Sequence, residues 1–307
     1  MYRHLLVTVD GAPGGIDAIG HALELARAVG ARVTFVLPGA TPDSRLSGAR
    51  LPEHGAKVEA AARAQGLSHA IAAAGDTSPG TLAGELGCDL IGMAALPPHA
   101  DAAECQQRQR LLAMCGVPVL VCASPRPPAA ARVIARCLDA HRAVTAMLHE
   151  LIAHGGEAAE MAAAEPSAAH EAVDIRGTLA ALAALQRARF GSAAEAQLFA
   201  ALRTRAESVA AELDELDRQQ RRDAQALDAL ARIASDGLPS PAFDTALARY
   251  AHGTFEQMGR MEGVIFPAAR RYLGDADWAE LDEPPAGGAA ATRPGANEPD
   301  DARRASD

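Results

Sequence analysis

The sequence is short of aromatic residues, of lysine and of long apolar runs, and each shortage excludes something. Phe, Trp and Tyr together make up 3% of the 307 residues, and none lies between Phe35 and Phe190. Any core in that stretch is therefore built from Ala, Leu, Val, Ile and Met. Lys57 is the only lysine, and 29 bases stand against 39 acids for a formal net charge of −10. A general nucleic-acid binder needs a basic face for phosphates, so this balance argues against one. No apolar run reaches the length of a membrane span. Met1-Tyr2-Arg3-His4 runs straight into a strand-like segment with no signal-peptide pattern. The five cysteines, Cys88, Cys105, Cys115, Cys122 and Cys137, are odd in number and contain no C-x-x-C pair. They read as buried or free thiols in a reducing cytoplasm. Gly-x-Ser-x-Gly, Walker and His-Glu-x-x-His signatures are all missing, so the chain is read as non-enzymatic.

What is present is globular and long enough for two domains, with 49% apolar and 22% charged residues. Residues 1–124 alternate strand and helix signals. Compact apolar runs at Leu5 to Val9, Val33 to Leu37, His69–Ala73, Asp89–Met93 and Pro118–Cys122 are separated by segments of helical spacing. Five strands with helices between them imply a doubly wound parallel sheet covered on both faces. Ser124-Pro125-Arg126-Pro127-Pro128 opens a stiff linker over 125–130. Over 131–283 a 3.6-residue period takes over. Four long helices near 131–154, 173–205, 207–235 and 241–273 predict an antiparallel, up-and-down four-helix bundle. Residues 284–307 are Pro, Gly, Ala and charge, a composition expected to be disordered.

In a doubly wound sheet, ligands bind beyond the carboxyl ends of the strands where the strand order reverses. Asp10 ends the first strand at that place. The runs HLLVTVDGAPGG, GCDLIGMA and GVPVLVC resemble a universal stress protein domain over roughly 1–124. The resemblance implies a flavodoxin-like (adenine nucleotide alpha hydrolase-like) sheet, frequent dimerisation and, in some members, ATP bound through an Asp after strand one and a glycine-rich stretch after strand four. Asp10 matches. Ala94 and Pro97 stand at the places of the first glycines, and Cys105-Gln106 at that of the later Gly-Ser. A phosphate cradle needs consecutive backbone N–H donors, which Pro97 and Pro98 cannot supply. Asp10 is therefore read as capping the strand-to-helix turn, with a ribose or adenine contact as the alternative.

A four-helix bundle can hold metal when His and Glu project inward from its helices. His141 and His149 lie eight residues apart on the first helix, and His252/Glu256 is an i, i+4 pair. The runs AQLFAALR at 196–203, LDELDRQQRR at 213–222 and Gln257-Met-Gly-Arg-Met261-Glu-Gly-Val-Ile-Phe-Pro267 resemble a hemerythrin-like HHE domain over about 131–283. That resemblance implies two irons held by histidines and glutamates from all four helices. Carried over by position, His141 keeps its ligand place, while Phe190, Ala194, Gln220, Gln257 and Met261 occupy the other five. Glu195 and Glu262 stand one residue from ligand places. On a regular α-helix one residue is a rotation of about 100°, which predicts that both face away from the core. The expectation is an apolar centre that folds without iron, with His141 hydrogen-bonded to Gln220 or Gln257, and His252/Glu256 as a surface pair.

The sequence thus predicts a cytoplasmic, non-enzymatic stress-response or regulatory protein that needs no cofactor. It is expected to dimerise through its N-terminal domain and to act through a protein partner, with neither nucleic acid nor membrane. The alternatives are an iron, oxygen or nitric oxide sensor or carrier using His141, His149, Glu195, Glu256 or Glu262, and an ATP-sensing protein using Asp10.

Overall fold

The computed structural model describes residues 2–9, 15–37, 53–73, 77–96, 100–122, 128–161, 175–191, 193–238 and 240–283. Asp10, Pro97, linker residues 125–127 and the tail 284–307 lie outside these residues, while 128–130, expected in the linker, already belong to a helix because proline is tolerated in a first helical turn. Five strands run parallel: β1 (His4–Thr8), β2 (Arg32–Leu37), β3 (His69–Ala73), β4 (Leu90–Ala94) and β5 (Val119–Cys122). Their order is β3-β2-β1-β4-β5, so the doubly wound architecture expected from the sequence is present, with its switch point between β1 and β4. Register follows side-chain alternation. Leu5, Val7, Val33 and Phe35 join one apolar cluster, and Leu6, Val36, Ile91 and Met93 join the opposite one.

Helices α1 (Gly15–Ala18), α2 (Gly20–Val29) and α3 (Glu53–Ala64) belong to the first face, and α4 (Pro79–Glu85) and α5 (Ala102–Met114) to the second. Their ends obey local chemistry. Gly30 closes α2 in the left-handed region at φ 68°, Ser78 caps α4 ahead of Pro79, and Asp101 and Glu104 form a reciprocal capping box on α5.

The rest of the described chain is helical: α6 (Pro128–Met161), α7 (Ile175–Gly191), α8 (Ala194–Arg205), α9 (Ala210–Asp236), α10 (Pro241–Arg260), α11 (Phe266–Tyr272) and α12 (Asp275–Asp282). α6 packs on α7 and α10, and α9 packs on the same two, which closes a four-membered ring. Two features depart from the sequence expectation. The second long helix is broken between α7 and α8, and a π turn, Met261–Ile265, joins α10 to α11. No helix among the described residues is long and apolar enough to cross a membrane.

The two domains meet along α3, whose residues Ala56, Lys57, Val58, Ala60 and Ala61 are all buried, because α3 lies between the sheet and α10. The contact is close because the facing helix carries glycine. A Cβ on Gly259 would sit 2.2 Å from the Lys57 carbonyl oxygen, and one on Gly263 would sit 2.5 Å from Ala61 Cβ. Arg63 pairs with Glu256, and Arg270 with Asp17, on either side of this seam.

Candidate functional site

Inside the bundle, two apolar cores are separated by a polar layer. One core contains Ile134 and Leu138 of α6, Leu198 and Leu202 of α8, Leu216 of α9, and Met261 and Phe266. The other contains Val144 and Leu148 of α6, Leu182 of α7, Leu227 and Leu230 of α9, and Phe255 and Met258 of α10. Between them α6 to α10 and the π turn each contribute buried polar residues: His141, Gln186, Arg189, Glu195, Gln219, Thr254, Gln257 and Glu262.

Five of these side chains, with Lys57 and Tyr250, form a continuous chain of contacts. Lys57 Nζ, from α3 of the sheet domain, lies 3.7 Å from Glu262 Oε1. His141 Nδ1 lies 3.4 Å from the same oxygen, and its Nε2 lies 3.5 Å from Glu195 Oε1. Arg189 grips Glu195 with two hydrogen bonds of 2.9 Å, Nε to Oε1 and Nη2 to Oε2. Arg189 Nη1 then donates to Gln186 Oε1 at 2.7 Å, and Gln186 Nε2 donates to the Tyr250 hydroxyl at 2.9 Å. Lys57 and Arg189 supply two positive charges, Glu262 and Glu195 two negative ones.

A charge removed from water costs several kcal/mol unless it is paired and hydrogen-bonded. Burial alone would raise the Glu195 carboxyl, but the Arg189 charge and the His141 contact outweigh it and hold it at about 2. Burial raises the Tyr250 hydroxyl against the opposing bond from Gln186. Asp223 of α9 is pushed up to about 6 by burial, only partly offset by Arg222 and Arg189. Its Oδ2, like both amide atoms of the fully buried Gln257, finds no hydrogen-bond partner among the described residues.

The expectation of an apolar centre is therefore corrected. Phe190 and Ala194 do border the first core, and Met261 is fully buried in it. Gln220 is only half-buried, and its neighbour Gln219 turns inward to donate to the Gly253 carbonyl. His141 is fully buried, but its neighbours are Glu195 and Glu262 rather than Gln220 or Gln257. Glu195 and Glu262, expected to face outward, are each 1% exposed. The rotation argument presumed unbroken α-helix. Glu195 stands in the first turn of α8, where Arg189, on the other side of the break, holds its carboxylate in the interior. The π turn lets Met261 and Glu262 both be buried, and α3 covers that side. Lys57 and Arg189 were missed altogether, since nothing in their local sequence marks them. His149 is exposed, while His252 pairs with the half-buried Glu256 at 3.6 Å, apart from this layer.

A di-metal centre does not fit these residues. One histidine and two carboxylates are present, and each carboxylate already faces a side-chain cation. Among the described residues no group of three or more His, Cys, Asp or Glu is arranged to hold an ion. In the sheet domain, the described wall of the switch-point crevice is Ala94, whose carbonyl accepts a 2.8 Å hydrogen bond from Arg108 of α5.

Part of the chain is similar to a solved structure from the universal stress protein family. A crystal structure of a protein from that family in Burkholderia pseudomallei is 26% identical, covering 39% of this chain and 95% of that one, with a TM-score of 0.29. No protein-family model matches the chain, and no curated protein does.

Proposed function

We propose that this chain is a non-enzymatic, cytoplasmic stress-response or regulatory protein. In this reading a universal-stress-like sheet domain is joined to a hemerythrin-like bundle that has exchanged its metal chemistry for internal ion pairs. The observation that carries the reading is the Arg189–Glu195 pair. Both oxygens of Glu195, one of the two acids beside the His141 ring, are taken by a guanidinium, in the fork geometry that makes such pairs strong. A divalent ion would have to displace that guanidinium and strand it, buried, without a partner.

The test is elemental analysis and a visible spectrum of the full chain purified from iron-fed cells. Substoichiometric iron and no oxo-bridge band are expected. Stoichiometric iron with such a band would return the chain to the sensors and carriers. Thermal shift with ATP tests the nucleotide alternative, and no rise in melting temperature is expected.

The same reading takes the protein as a homodimer through the sheet domain. Three features support this. β5 is an edge strand, α5 buries none of its residues, and Leu112, Met114 and Val121 are 49, 82 and 41% exposed.

A further inference from the structure

Lys57 is the one lysine of the chain, belongs to the sheet domain, and is 3% exposed. Lysine is almost never buried to this degree unless paired. Its partner, Glu262, belongs to the other domain and is 1% exposed. The backbone is shaped for the meeting. Gly259 leaves room for the Lys57 main chain, which Cβ of any other residue would strike. The ammonium then reaches Glu262 in the π turn that follows α10, where the acid also faces His141.

We infer that the sheet domain supplies the cation of the bundle. Lys57 Nζ gives Glu262, from across the domain boundary, the compensating charge that a metal ion would otherwise have to provide. Arg189 does the same for Glu195 from within the bundle. The two domains are consequently one folding unit. Separating them would break this ion pair and expose to water the apolar surface that α3 and α10 bury against each other. While they are docked, the centre of the bundle is closed to divalent ions. This holds whatever the protein regulates, because it depends only on these contacts.

Calorimetry on the full chain and on Lys57→Met, Glu262→Gln and the double variant tests it. The wild-type chain should unfold in one transition. Each single variant should lose on the order of 5–10 °C, since each strands one buried charge, and the double variant should recover at least half of the summed loss. Additive losses in the double variant, or two separate wild-type transitions, would overturn the inference. If neither single variant folds, folding of the double variant meets the expectation and its failure overturns it. Independently, wild-type protein incubated with Co²⁺ and desalted should keep only a substoichiometric amount. One equivalent, lost in His141→Ala, would also overturn it.

Discussion

Arg189 and Glu195 face each other across the break between α7 and α8, joined by two hydrogen bonds of 2.9 Å and almost wholly removed from solvent. The break makes this possible, because α8 begins one residue before the glutamate and turns it back toward the arginine. Replacing Arg189 by Met leaves a buried carboxylate with only His141 beside it and should cost about 3–5 kcal/mol. Replacing both residues, by Met and Gln, should cost clearly less than the single change. Chemical denaturation of the wild-type chain and the two variants checks this. Equal losses in the single and double variants would show that the pair is not the source of the effect.

The same pair gives an acid limit. The Glu195 carboxyl lies at about 2 in the folded chain against an ordinary 4.5. A lowered value contributes stability that is complete above 4.5 and drains away as pH falls toward 2. The wild-type chain should lose this increment over that window, and Glu195→Gln should show no such step. A melting-temperature profile against pH, taken for both proteins, makes the comparison.

Asp223 should behave in the opposite sense. Burial lifts its carboxyl from 3.8 to about 6, so the folded chain holds a proton more readily than the unfolded one. Stability therefore falls as pH rises from 3.8 to about 6 and stays lower above it. Asp223→Asn should raise stability by about 1–2 kcal/mol at neutral pH, allowing for partial solvent contact. The gain should shrink as the pH is lowered from 6 toward 4. A gain that does not change with pH would rule out the ionisation as its cause.

Gly259 and Gly84 are both helical, and they should respond oppositely to alanine. A methyl group on Gly259 meets the Lys57 backbone at 2.2 Å, whereas one on Gly84 of α4 finds nothing within 4 Å. Gly259→Ala should destabilise by about 1–3 kcal/mol or more through forced separation of α10 and α3. Gly84→Ala should stabilise by about 0.5–1 kcal/mol, the usual helix gain. Thermal melts of the two variants decide whether helix contact or helix propensity governs each site.

Dimerisation through the sheet edge predicts an effect at Val121, which is 41% exposed on β5. Val121→Lys should turn a dimer into a monomer in light scattering after gel filtration while leaving the melting temperature of the folded chain within a few degrees, since an edge lysine blocks strand pairing. A monomeric wild-type protein would remove this interface from the account.

The sheet was legible because its signals are local. Apolar runs such as Leu5 to Val9 and Val33 to Leu37 act within a few residues of themselves. The helical character of the rest and a buried His141 were legible for the same reason, through helical spacing, although the second expected helix is broken. The polar layer was not. Its orientation was counted along an ideal helix, which the π turn departs from at Glu262 and which leaves out the pull of Arg189 on Glu195 across the α7–α8 break.

Sequence by itself determined the alternation of strand and helix in the sheet region and the helical period of the rest. Tertiary structure alone decided which charges meet inside the bundle. Lys57 and Glu262 are more than two hundred residues apart in the chain, as the numbering shows. Whether two such charges meet in the interior depends on how closely two domains approach, a property of glycines on one helix and small residues on another rather than of any motif around the charges themselves.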